Sequence, residues 1–210
     1  MLFRSAYPTV SAPYGFKPIN RQDGLPYAGA TTQYGIASTV STAIYNGDLV
    51  YITGGTIAKS GVTSNAISTA NLTAGVFMGC QYVNTQGQTV QAQYYPGNAA
   101  ASSAIAYVVV DANAAFKVAV TNGSGAMSST TVKAIGVNLA VDQTTAGSTT
   151  TGDSGEGATA PTSGAGNLTS LPLKVIAVVP ETAVNATNFS EVVVVLNNPQ
   201  ITRTAGNDFA

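Results

Sequence analysis

Residues 192–196 (VVVVL) and residues 107–110 (YVVV) decide the fold, because they are short runs of apolar, mostly β-branched side chains. β-Branched residues favour strands over helices. Side chains alternate between the two faces of a strand, so a run without polar residues is covered on both faces. We expect an opposing sheet to be one cover, and a partner subunit is the candidate for the other.

Outward from these two runs, short β-type segments alternate with turn signals, and no window shows a sustained helical period. This spacing predicts an all-β fold, either a β-sandwich or a closed sheet, with little helix. Asn46-Gly47 is placed to supply the positive φ angles of a tight turn. The predicted strands are 32–36, 49–52, 75–83, 89–95, 104–110, 116–121, 135–141, 173–179 and 192–196.

Composition shifts divide the chain into three parts. Residues 1–30 are rich in Pro, Gly and Tyr and are predicted to form an extended N-terminal arm. Residues 31–210 are predicted to be one β-rich domain. Within it, residues 143–170 are nearly all Gly, Ser, Thr and Ala, which favours a flexible insertion that projects from the sheet core.

The charge content is the most unusual feature of the composition. Only 8% of residues are charged and the formal net charge is −1, whereas an ordinary domain carries about 25% charged residues. Basic residues are scattered singly, which disfavours nucleic-acid binding. No stretch is apolar enough to span a membrane, and no signal peptide is visible at the start of the sequence. A surface with so few charges suits a protein that packs against neighbours.

Some segments resemble catalytic or metal-binding motifs but lack residues that those motifs require. Residues 152–156 (GDSGE) contain a serine between glycines, but the chain has no histidine to act as its base, so we expect a flexible polar loop. Asp153 and Glu156 could together hold a loose surface cation, although two carboxylates fall short of a calcium site. The single cysteine, Cys80, excludes an intrachain disulfide and a Cys-based zinc site of the usual spacing. We expect no enzyme activity and no cofactor.

Two further motifs are best interpreted as turns. Residues 54–60 (GGTIAKS) lack the glycine that precedes the lysine of a phosphate loop and are predicted to be a hairpin strand. Residues 111–113 (DAN) lack the rest of a calcium loop and predict an Asx-type turn between two strands.

The arm carries the candidate interface residues. Aromatic side chains in a proline-rich arm are suited to a partner's pocket, and proline lowers the entropy lost on docking. The alternative, that these side chains pack back onto their own domain, stays open. The candidate partner-interface residues are Tyr7, Pro13, Tyr14, Phe16, Pro18 and Tyr27.

Five segments, in order along the chain, resemble a family of virion proteins of tailed phages, common in marine and freshwater phages and associated with capsid decoration. The resemblance implies a β-sandwich or jelly-roll-like domain that trimerises on the outer capsid surface, with the major capsid protein as partner, in virions assembled in the host cytoplasm. The segments are 12–19 (APYGFKPI), 45–50 (YNGDLV), 75–82 (GVFMGCQY), 94–97 (YYPG) and 192–197.

Other roles remain open on the sequence. A phage tail or fibre component is the main alternative, although neither long repeats nor a coiled-coil stretch is visible. A cell-surface adhesin is less favoured because no export signal is visible, and a major capsid protein because no long helix is predicted. An enzyme is the least favoured class.

Overall fold

The computed structural model describes residues 10–61, 73–98, 104–122, 135–160, 171–182, 189–197 and 199–200. The described residues are all-β, as the sequence predicted: they form strands and one short 3-10 turn, Pro180–Thr182. No helix among them is long and apolar enough to cross a membrane. The strands are β1 (Lys17–Arg21), β2 (Thr32–Ile36), β3 (Leu49–Thr53), β4 (Thr56–Lys59), β5 (Gly75–Val83), β6 (Thr89–Ala92), β7 (Ala104–Val109), β8 (Ala114–Thr121), β9 (Asn138–Asp142), β10 (Gly157–Thr159), β11 (Leu173–Val178) and β12 (Ser190–Leu196).

Sheet A contains β1 and β8 to β12, in the order β1-β8-β10-β9-β11-β12. Strand β12 also pairs with β8, so the sheet closes on itself. β8 holds β12 along one edge, and along the other it holds β1 at its start and the short parallel strand β10 at its end. Closure leaves β1 as the edge strand of this sheet.

Sheet B contains β2 to β7, in the order β3-β4-β2-β7-β5-β6, and it closes through a further pairing of β3 with β5. The Gly54-Gly55 turn joins β3 to β4, which confirms the predicted hairpin. Between β7 and β8, the amide of Asn113 donates to the Asp111 carboxylate at 2.9 Å, which confirms the predicted Asx turn. β6 pairs only with β5 in the described part of the chain.

Two buried clusters form the core, one inside sheet A and one inside sheet B. Leu49, Val76 and Val109 come from sheet B but belong to the cluster of sheet A, so the two sheets share packed surface. In β7, Val108 points into one cluster and its neighbour Val109 into the other, and both are fully buried. The two covers of that part of β7 are therefore both within this chain, and no partner subunit is required there.

The prediction that residues 1–30 form an extended arm is wrong for residues 16–21. Phe16 is fully buried in the cluster of sheet A, and Lys17–Arg21 is a strand of that sheet, paired antiparallel with β8. Pro18 is tolerated because β1 is an edge strand, where a missing N–H breaks no central ladder. The register shifts between Pro18 and Asn20, which is a local irregularity next to the proline.

The prediction of a flexible insertion at residues 143–170 is also wrong for residues 152–160, which are buried or half-buried, whereas residues 144–151 are mostly exposed. Gly157–Thr159 is strand β10, and Ala158 is fully buried between β8 and β9. Small side chains are required here because a Cβ on Gly157 would lie 2.5 Å from the Thr121 methyl carbon. Residues 161–170 lie outside the described residues. The low content of large side chains around β10 allows its backbone to lie close to the neighbouring strands.

Candidate functional site

The two sheets meet at a junction where three loop segments run against one another: residues 13–16, 45–48 and 152–156. The amide of Asn46 donates to the Gly152 carbonyl at 2.9 Å, and the amide of Ser154 donates to the Asn46 carbonyl at 3.0 Å. The amide of Gly15 donates to the Glu156 carbonyl at 3.0 Å. These pairings join the loop before β10 in sheet A to the loop before β3 in sheet B.

Gly47 permits this close approach. Its φ is +96°, a conformation that L side chains rarely adopt, and the amide of Phe16 donates to its carbonyl at 2.9 Å. A Cβ on Gly47 would lie 2.9 Å from the Phe16 nitrogen. The positive φ predicted from Asn46-Gly47 is therefore confirmed at Gly47 but not at Asn46, and the turn leads from a loop into β3 instead of joining two hairpin strands.

Asp48 lies at the centre of the junction with no exposed surface. Its carboxylate accepts hydrogen bonds from the Tyr45 amide at 2.8 Å, the Ser154 hydroxyl at 2.5 Å and the Lys59 ammonium at 2.8 Å. A buried charge is stable only when it is paired and hydrogen-bonded, and these three donors meet that requirement.

Glu156 is the second buried carboxylate, with 1% of its surface exposed. It accepts hydrogen bonds from the Leu49 amide at 3.0 Å and the Gln143 side chain at 2.7 Å, and Lys59 lies 3.4 Å away. Burial and the charge of Asp48 raise the pKa of Glu156 to about 8, and Lys59 and the two hydrogen-bond donors only partly oppose this shift.

Lys59 is the cation of the junction and serves both acids. Burial alone would lower its pKa, but the charges of Glu156 and Asp48 raise the pKa above its ordinary value. Its ammonium also lies 6.0 Å from the centre of the Tyr45 ring. Lys59 comes from β4 of sheet B and Glu156 directly precedes β10 of sheet A, so the contact between their side chains, at 3.4 Å, connects the two sheets. We call Asp48, Lys59, Gln143, Ser154 and Glu156 the junction cluster.

The junction cluster lacks the properties of a nucleophilic serine site. Ser154 is 3% exposed, and its hydroxyl donates to the Asp48 carboxylate, which also accepts hydrogen bonds from the Lys59 ammonium and the Tyr45 amide. Lys59 is held protonated by two acids and cannot take the serine proton. The expectation of a flexible polar loop at residues 152–156 is wrong as well, because all of them except Asp153 are buried and their backbone is hydrogen-bonded to Gly15 and Asn46.

Asp153 and Glu156 do not face a common cation site. The Asp153 carboxylate is 2.7 Å from the Lys17 ammonium, and Glu156 points to Lys59. The hydrogen bond from Lys17 keeps the pKa of Asp153 below its ordinary value. Among the described residues no group of three or more His, Cys, Asp or Glu side chains could hold a metal ion.

An open groove of about 440 Å³ lies beside Lys59. Its ligand chemistry is limited, because the one charged side chain in its wall, Lys59, is already paired with the Asp48 carboxylate at 2.8 Å. The groove is lined by residues 39–42, Tyr51, residues 58–61 and Gln143.

A second polar cluster fixes the beginning of the chain to β12. The Tyr14 hydroxyl donates to the Glu191 carboxylate, which also lies 3.1 Å from the Lys117 ammonium. Lys117 in turn lies 5.8 Å from the centre of the Tyr14 ring. Burial and the hydrogen bond to Glu191 raise the pKa of Tyr14 well above its ordinary range. Tyr14 is thereby used within its own chain.

The structure places the predicted interface residues in different environments. Phe16 is wholly inside the core and is not available to a partner in this conformation, so that prediction is wrong. Tyr27 is half-buried against the same core and donates its hydroxyl to the Ala30 carbonyl at 2.8 Å. Pro13 and Pro18 are half-buried. Tyr7 lies outside the described residues.

The sequence interpretation missed the junction cluster, although one signal pointed to it. In a chain with so few charges, Asp48 and Lys59 each lie beside apolar strand residues, where a solvated face was not predicted. A rare charge in such a setting is more often paired than free. Its partner, Glu156, could not be assigned because it lies 107 positions beyond Leu49, whose amide it binds.

Comparisons with family models, with curated proteins and with solved structures find no match to this chain. The candidate site therefore rests on its own geometry: a buried, ion-paired junction that holds two closed sheets together.

Proposed function

We propose that this chain is a structural virion protein that decorates and stabilises the outer surface of a tailed-phage capsid. In this role it binds the major capsid protein at capsomer junctions, as a homo-oligomer, with three copies as the expected number. The proposal rests on the resemblance of five sequence segments to capsid decoration proteins.

The use of charge is the structural observation that carries the proposal. Four of the five basic residues in the described part of the chain form ion pairs with acids of the same chain; they are Lys17, Arg21, Lys59 and Lys117. The pair of Lys59 with the buried Asp48 carboxylate favours one specific arrangement of the parts it joins, and few charges remain to repel a neighbour. This supports a stiff protein that packs closely against other subunits.

The oligomer would act as a clamp. Capsid lattices present three-fold junctions, and a closed ring of three copies can touch several capsomers at once, which raises avidity without stronger single contacts. A rigid junction between the sheets would let each copy resist the separation of the capsomers it bridges. Binding would require no cofactor.

The direct test is reconstitution on particles that lack the protein. Purified chain is added to bare heads, and heat or low ionic strength is used to open them; decorated heads should survive harsher treatment than bare heads. Electron microscopy of the same sample should place the protein on heads. Labelling of tails or fibres instead would replace this proposal with the tail-component alternative, and binding to neither would end both.

A further inference from the structure

The two sheets differ sharply in charge. The six strands of sheet B contain one charged residue, Lys59, and that side chain belongs to the buried junction cluster. The strands of sheet A carry Lys17, Arg21, Lys117, Asp142, Lys174 and Glu191. The strands of sheet B therefore offer a surface without charge.

The strand register assembles that surface from glutamines. In the middle of sheet B, Ile105 on β7 lies opposite Gln81 on β5, and Gln81 lies opposite Gln91 on β6. Residues directly opposite in neighbouring strands share a face, so these three side chains form one row. Ile105 is 39% exposed, which places the row on the outer face.

A second row lies beside the first. Tyr107, two positions along β7, lies opposite Gln33 on β2, and its hydroxyl is 3.4 Å from the Gln81 side chain. Gln33 is exposed and Tyr107 is half-buried. A groove of about 350 Å³ runs between Tyr107 and Gln91. Gln33, Gln81, Gln91, Ile105 and Tyr107 thus make one neutral surface, which we call the glutamine face.

Sheet A covers only one end of this strand. Val109, next along the same side of β7, is fully buried in the cluster of sheet A. On the same face of β7, Tyr107 is half-buried and Ile105 is exposed. The sequence predicted cover on both faces for residues 107–110, and the described chain provides it for Val108 and Val109 but only in part for Tyr107.

We infer that the glutamine face contacts a second copy of this chain. The inference deepens the proposed function by locating the surface through which copies of the chain associate. It rests on the part of the proposed function that concerns self-association and does not depend on capsid binding.

Charge complementarity favours a second copy as the occupant. A copy brings the same low charge, so contact neither opposes like charges nor strips water from an ion. Each glutamine amide offers both donors and an acceptor, so glutamine surfaces can satisfy one another's hydrogen bonds. Ile105 and Tyr107 add the apolar area that stabilises association.

The test places charge on this face and measures mass by light scattering. Gln33→Lys combined with Gln91→Lys adds two like charges at exposed positions, so the fold should be kept. The matched control, Asn20→Lys with Gln22→Lys, adds the same charge at two exposed positions at the end of β1 in sheet A. We expect the wild type and the control to associate and the test variant to be at least about tenfold weaker in self-association. Circular dichroism checks that all three are folded.

Three outcomes would overturn the inference. One is a wild type that stays monomeric up to submillimolar concentration, and another is a test variant that associates as the wild type does. The third is a monomeric wild type whose binding to heads is lost in the test variant, which would assign the glutamine face to the capsid. Head binding is measured separately, so self-association without head binding contradicts only the proposed function.

Discussion

Glu156 is the residue whose protonation should govern stability near neutral pH. Its folded-state pKa is about 8, above the ordinary value of 4.5, so the folded protein holds this proton more tightly than the unfolded chain does. The stabilising effect is complete at pH values below 4.5 and is lost as the pH rises through 8. Above that pH, two buried carboxylates share the single ammonium of Lys59.

We therefore expect the melting temperature to fall by several degrees between pH 5 and pH 8. Glu156→Gln removes this titration and should flatten the profile. Asp153→Asn is the control in the same loop: its pKa lies below the ordinary value, so it titrates outside that pH window. An unchanged slope in Glu156→Gln would show that another group governs it.

Gly47 provides a second prediction at the residue scale, about the backbone of the junction. Gly47→Ala should destabilise the protein for two reasons: a φ of +96° and a Cβ 2.9 Å from the Phe16 nitrogen. Gly24→Ala is the matched control, because Gly24 has a φ of +82° and nothing within 4 Å of its Cβ. The control should cost about 1–2 kcal/mol, and Gly47→Ala clearly more, in denaturant unfolding. Equal costs would mean that the junction can relax.

At the scale of elements, β1 is the strand that most changes the account of this chain. Phe16, at its start, is fully buried in the core, whereas Ile19, on the strand itself, is 37% exposed. Phe16→Ala should cost about 3–5 kcal/mol of unfolding free energy, and Ile19→Ala less than about 1 kcal/mol. If the alanine variant does not fold, Phe16→Leu, with a smaller loss of volume, keeps the comparison measurable. Similar costs for Phe16 and Ile19 would contradict a structural role for this segment.

Most elements could be predicted from local pattern alone. All nine predicted strands are present: 32–36 and 75–83 have the predicted ends, and the other seven have shifted ends. β1 and β10 were missed because Pro18 and the glycines around Ala158 are poor strand formers, and pairing with β8 overrides that preference.

At the scale of the whole molecule, the scarcity of charge should make association insensitive to salt. We expect the dissociation constant for self-association to change by less than about threefold between low and high salt, because neutral contacts are not screened. Sedimentation equilibrium at about 50 mM and about 500 mM salt measures this dissociation constant. A steep weakening with salt would instead indicate charged residues at the contact.

The amino-acid sequence by itself determined the all-β class, most of the strands and the neutral surface, because these follow from side-chain type and local alternation. Only the tertiary structure decided that each sheet closes, that Phe16 enters the core and that Asp48, Lys59 and Glu156 meet. The physical reason is distance along the chain: the Ser154 hydroxyl and the Asp48 carboxylate are 106 positions apart. No local sequence pattern shows that the cost of burying one rare charged residue will be offset by pairing with another far along the chain.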